Sequence, residues 1–183
     1  MQIEEVNELI EGLHSKDGHV RSRARRGLVS AGREGLPTLI ALLTDPNRNV
    51  RWEVCKALGE MREPDAAEAL TGALDDENIE VRWLAAEALI ALRARAVIPM
   101  LRALERSFNS LFMRQGAHHV LHALERERLL NSETLAVLDT LRYLEPQISV
   151  PLAARRALES IPDSGVSDPR RREAANRKEP VRR

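Results

Sequence analysis

The chain repeats itself. Val50-Arg51-Trp52 opens the phrase NVRWEVCKALG, and Val81-Arg82-Trp83 opens EVRWLAAEALI, with Ala-Leu at the same spacing behind each. Earlier, Val20-Arg21 begins HVRSRARRGLVSAG, and later Met113-Arg114 begins MRQGAHHVLHAL, so the recurrence is about 30–32 residues. A weaker fifth copy starts at Val150 in VPLAARRALESI, where Pro151 takes the place of the arginine. A period of this length marks stacked supersecondary units, none of which can bury its apolar face alone. The phrase returns because the stacking problem returns.

Within a unit the apolar spacing is helical. At about 100° per residue, Val50, Val54, Ala57, Leu58 and Met61 fall on one face, behind a start signal at Asp45-Pro46. A second stripe precedes each phrase. The stripes are Val6, Leu9, Ile10 and Leu13; Leu36, Leu39, Ile40 and Leu43; Ala66, Leu70, Ala73 and Leu74; Val97, Met100, Leu101 and Leu104; and Leu135, Leu138 and Leu141. Ten helices in five pairs follow. Aromatics are only 3% of the chain, so the core is aliphatic and the composition suits helices better than strands. Gly32 and Gly59 sit near helix ends, where each serves either a tight exit or a close packing contact.

The acidic turn, the Val-Arg pair, the small residues and the Ala-Leu-Gly ending together resemble HEAT-like repeats, especially the short type of the phycobilisome lyase-type proteins. The resemblance runs from residue 1 to about 161 and implies an all-α, right-handed α-solenoid of about five helix pairs. In that family the turn aspartate and the helix arginine form a ladder between repeats. Asp45 with Arg51 and Asp76 with Arg82 match the pair, while unit one has Ser15 at the aspartate position. Arg21, Arg51, Arg82 and Arg114 are accordingly expected to be structural.

After Ile161 the composition changes. Residues 162–183 carry clustered basic charge and few large apolar groups, which predicts a basic disordered tail beyond the 1–161 array. The chain as a whole has zero formal net charge, which argues against nucleic acid as a partner held by bulk charge. No stretch reaches the ~20 apolar residues that span a bilayer. The single cysteine, Cys55, excludes an internal disulfide and suits a reducing compartment. The expectation is a cytoplasmic protein without a membrane segment, its oligomeric state open.

Both tryptophans lie about 200° from Val50 or Val81 on the wheel, nearly opposite the core. In HEAT-like arrays the second helices line the concave side, so this column is expected to face a groove. It reads Ser22, Trp52, Trp83, Gln115 and Leu152, then Arg26, Lys56, Glu87, His119 and Arg156, then Val29, Gly59, Ile90, His122 and Glu159. Trp52, Trp83, Arg26, Lys56, Glu87 and His119 are the candidate partner-binding residues, because exposed aromatics in one column make good anchors. Residues 15–33 hold six basic side chains against one acidic, and residues 53–87 ten acidic against three basic. That contrast would suit fixing the register of a polar partner.

Catalytic chemistry finds little support. His118 and His122 share a helical face and are the one candidate metal pair, but no third ligand stands near them, so no metal or other cofactor is assigned. HEAT-like DNA glycosylases combine concave tryptophans with a carboxylate, as Trp83 and Glu87 do, but also need a basic wall that the acidic middle units lack. Cys55 has no base partner and reads as a packing residue. No catalytic residue is named. The sequence is read first as a non-enzymatic protein-interaction scaffold or assembly chaperone holding a protein partner in the groove. The alternative is an accessory subunit of a chromophore lyase-type system, and a DNA glycosylase is the remote third.

Overall fold

Ten α-helices follow one another in the computed structural model, which describes residues 3–107, 109–141 and 146–162. They are α1 (Ile3–Leu13), α2 (Gly18–Ser30), α3 (Leu36–Leu42), α4 (Arg48–Met61), α5 (Ala67–Gly72), α6 (Ile79–Leu92), α7 (Val97–Arg106), α8 (Leu111–Arg126), α9 (Ser132–Thr140) and α10 (Pro146–Ser160). Among the described residues there is no strand, and 82% are helical. The chain is an all-α solenoid, as the repeat period requires. The tail expected after Ile161 lies, apart from Pro162, outside the described residues.

Each of α2, α4, α6 and α8 starts on a side-chain cap three residues before its Val or Met. Asp17 accepts from the His19 N–H at 2.8 Å, Asn47 from Asn49 at 3.0 Å, Asn78 from Glu80 at 2.9 Å, and Ser110 from Met113 at 3.1 Å. These bonds satisfy amides that have no partner inside the helix. The turn before each of the first three caps is built alike. Ser15, Asp45 and Asp76 accept from the N–H of the residue two further on, so Ser15 does the same local work as the aspartates.

The helix exits repeat too. Gly32 has φ +58°, and Arg62, Arg93 and Arg128 have φ 54°, 58° and 57°. Second helices of four units thus leave through positive-φ backbone, which glycine adopts freely and arginine adopts at a cost. Gly59 answers to the other reading: a Cβ there would stand 3.2 Å from the Ala88 side chain, so the missing side chain lets α4 and α6 approach.

Most of the predicted core is the observed one, although Val6, Ile10 and Leu135 are only part-buried. Val50, Val54, Leu58, Val81, Ala85 and Leu89 are fully buried, as are Leu39, Leu70, Leu74, Met100, Leu101 and Leu104 from the first helices. Second helices pack side by side in the order α2, α4, α6, α8, whereas among the first helices only α5 and α7 meet comparably. The second helices thus form the more closely packed of the two layers. First helices are also shorter: α5 has only 6 residues, fewer than two turns, and is flanked by 3-10 turns at Pro64–Ala66 and Ala73–Asp75. The last unit departs from the period. α10 packs against α7 rather than continuing the row onto α8, with Arg155 Nε donating to Glu105 of α7 at 2.9 Å.

Candidate functional site

Buried charge ties the first three units to one another beside the apolar core. Arg51 is buried and forks onto the Asp76 carboxylate, Nε to Oδ2 at 2.6 Å and Nη2 to Oδ1 at 3.0 Å. Its Nη1 donates to the Asp45 carbonyl at 2.8 Å. One side chain thus ties its own turn to the turn of the next unit, and Asp76 in return raises the Arg51 pKa above its already high ordinary value. The rungs on either side are modified. Arg21 Nη1 donates to the Ser15 carbonyl at 2.9 Å, but its Nε lies 3.7 Å from Glu53, because Asp45 is held by His14 Nε2 at 3.0 Å. Arg82 donates to the Asp76 carbonyl at 2.7 Å and spreads its guanidinium over the Phe112 ring at 3.8 Å. Arg21, Arg51 and Arg82, three of the four arginines expected to be structural, are thus engaged within the array.

A second network was not visible in the sequence. Glu53, only 3% exposed, sits between α2 and α4 and accepts from Arg25 Nε at 3.0 Å, while Arg25 Nη1 also bonds Glu60. Arg33 reaches Glu63 at 3.3 Å. The contrast between a basic first unit and an acidic middle is thus largely consumed inside the molecule. Charge complementarity between neighbours is the physical use of that pattern, and it leaves less free charge for a partner than the tally suggests. Glu53 occupies a surface-type position by composition and is buried only because arginines of the preceding unit meet it, a coincidence that spacing within one helix cannot reveal.

The tryptophan column differs between its two members. Trp52 is half-buried and packs on the core, with the Lys56 ammonium 4.6 Å from its ring centroid. Trp83 is 56% exposed. Its ring centroid lies 4.9 Å from that of His119, tilted 36°, and His119 Nε2 is 3.3 Å from Glu87. α6 and α8 therefore bring Trp83, Glu87 and His119 into one cluster, beside which α4 places Lys56 over Trp52. Between these pairs a shallow groove runs over Gly59 and Ala88, bordered by Lys56, Glu60 and Glu87. It exists because both floor residues are small. Arg26 is exposed on α2, two helices away from α6 in the row, and no contact joins it to the aromatic cluster. Leu152, Arg156 and Glu159 do not continue the column, since α10 sits on α7; the expectation drawn from the period fails there, where Val150 follows Met113 by 37 residues rather than 30–32.

Other reactive groups are quiet. The Cys55 thiol is fully buried, and loss of solvation pushes its pKa up to about 12, so it packs rather than reacts. His118 and His122 stack nearly parallel with centroids 6.1 Å apart. Among the described residues no group of three or more His, Cys, Asp or Glu side chains converges on a point. No described helix is long and apolar enough to cross a membrane.

Stacked helix pairs, capped in register and joined by an arginine–aspartate rung, define a HEAT-like repeat protein. Residues 6–89 match the HEAT repeats family. The chain is 31% identical over 161 residues to a "Phycobilisome maturation protein" of Synechococcus elongatus, covering 83% of this chain and 76% of that one. It is 36% identical over 91 residues to the "Bilin biosynthesis protein RpcF" of Synechococcus sp. strain WH8020, covering 49% of this chain and 44% of that one. A solved structure of an engineered protein aligns with 22% identity over 84% of this chain and 78% of its own, at a TM-score of 0.43. The chain belongs to the HEAT-like, phycobilisome lyase-type family.

Proposed function

We propose that the chain acts in the maturation of a chromophore-bearing protein, holding a protein partner against the second-helix face, with Trp83, His119, Glu87 and Lys56 as its contact residues. One observation carries the reading: Trp83 stands more than half exposed on the second-helix row, braced by His119 and Glu87, where an apolar ring without a partner is an unfavourable surface. Kinship directs it. Of the two relatives, one is named for phycobilisome maturation and the other for bilin biosynthesis, which favours the lyase-type alternative over a general scaffold. The one thiol, Cys55, is buried in the core with its pKa raised, and the reading assigns this face to holding and orienting a partner.

Co-production with a bilin and a phycobilisome subunit tests it. The wild-type chain should raise the amount of bilin attached to the subunit, read by absorbance and by in-gel fluorescence. Trp83→Ala with His119→Ala should abolish most of that gain while leaving the melting temperature unchanged. Equal attachment with and without the chain would overturn the reading.

A further inference from the structure

Among the described residues, four of the six large exposed apolar side chains lie on two neighbouring helices: Ile79 at 70%, Trp83, Leu111 at 55% and Phe112 at 40%. Ile79 and Trp83 are one turn apart on α6, so they share a face. Leu111 and Phe112 open α8, the next helix of the row. Single exposed apolar residues are ordinary, but a run of them across adjacent helices marks an interaction surface. Ile79 and Leu111 hold the same register position, two residues before Val81 and Met113, where the first two units carry Gly18 and Arg48. The lip is therefore a property of units three and four, not of the repeat.

Its border is acidic. From Asp75 to Glu87 there are five carboxylates and a single guanidinium, that of Arg82. Arg82 is already engaged by the Asp76 and Glu77 carbonyls and the Phe112 ring. Asp76 is held by Arg51, which also reaches the Glu77 carboxylate at 3.2 Å, Asp75 accepts from the Ser110 hydroxyl and Glu87 lies against His119; all the same, Asp75, Glu77, Glu80 and Glu87 are exposed around the apolar residues. The groove between two parallel helices accepts a third helix, whose anchors then recur every three to four residues.

We infer that this lip binds an amphipathic helix of a partner protein, with apolar side chains on Ile79, Trp83 and Leu111 and basic side chains facing Glu77 and Glu80. The inference rests on the proposed use of the second-helix face and names the kind of segment that the face takes. The carboxylate border selects basic over acidic helices, and the apolar residues supply the affinity.

A labelled, helix-forming peptide of about 18 residues, with leucines at helical spacing bordered by lysine and arginine, serves as probe. Its counterpart has glutamate at every basic position. Fluorescence anisotropy should show the basic peptide binding at least about tenfold more tightly than the acidic one, with affinity falling as salt rises. Ile79→Ser with Leu111→Ser should weaken binding about tenfold or more; both residues are exposed, so the core stays intact. Glu77→Arg with Glu80→Arg should invert the preference between the two peptides. No binding, equal binding of both peptides, or unchanged binding by the serine variant would overturn the inference. Self-association of the chain that the serine variant abolishes would also overturn it, by showing a second copy as the occupant. Chromophore attachment read in parallel separates the two readings: its loss only with Trp83→Ala and His119→Ala, beside unchanged peptide binding by the serine variant, sinks this inference alone.

Discussion

Replacing Arg51 by methionine tests whether the rung between units two and three holds the array together. Methionine keeps the stem and removes the guanidinium. Asp76 then loses two hydrogen bonds, at 2.6 and 3.0 Å, and keeps the one from the Asn78 N–H at 2.8 Å. The carbonyls of Asp45 and Pro46 lose their donor as well. Both side chains of the pair are 8% exposed, so water cannot replace the lost partner without opening the turn. Stranding one charge of a buried pair costs about 3–5 kcal/mol, which for a chain of this size lowers the melting temperature by roughly 6–20 °C. Asp76→Asn keeps an acceptor for Asn78 and removes the charge. The double variant should recover about 1–3 kcal/mol relative to the sum of the singles, the coupling expected of contacting groups. Calorimetry and urea titration of the four proteins give the cycle. If Arg51→Met costs under about 1 kcal/mol and the two changes add, the pair behaves as an exposed one, and the ladder does not hold the units in register.

Three further outcomes follow from the same geometry. Trp52→Ala should cost about 1–3 kcal/mol because part of its ring packs on the core, whereas Trp83→Ala should stay within about 0.5 kcal/mol; thermal melts of the two single variants compare them. Arg93→Gly should raise stability by about 1 kcal/mol, since φ 58° and ψ −136° suit glycine, and its exposed pairing with Glu127 contributes little. His14 has its pKa raised above 6.5, first by the Ile10 carbonyl that its ring N–H meets and then by Asp45. Its stabilising contribution is therefore complete below about pH 6.5 and lost as pH climbs through the higher folded value, and His14→Ala should flatten that part of the stability profile.

How far the candidate site could be read from sequence depends on the range of the interactions that make it. Placing Trp83, Glu87 and His119 on one column needed only the helical angle and the repeat length, and the three do meet. Trp52 stands on the same column but is half-buried, because its exposure is set by the neighbouring units rather than by its wheel angle. Arg26 shares the column and has no part in the cluster. The fifth unit shows the limit most plainly: Val150 and the Ala-Leu ending continue the period, yet α10 settles on α7.

The sequence by itself determined the helices, their caps, their pairing and the buried stripe, since these rest on local hydrogen bonding and on a 3.6-residue period that every unit carries. Tertiary structure alone decided that Glu53 is buried between Arg21 and Arg25, that His14 rather than Arg21 takes Asp45, and that Arg82 turns to Phe112. Each of those choices joins residues some 28 to 32 positions apart. They compete for the same few partners across an interface, and the winner depends on the offset between helices, which no single helix encodes.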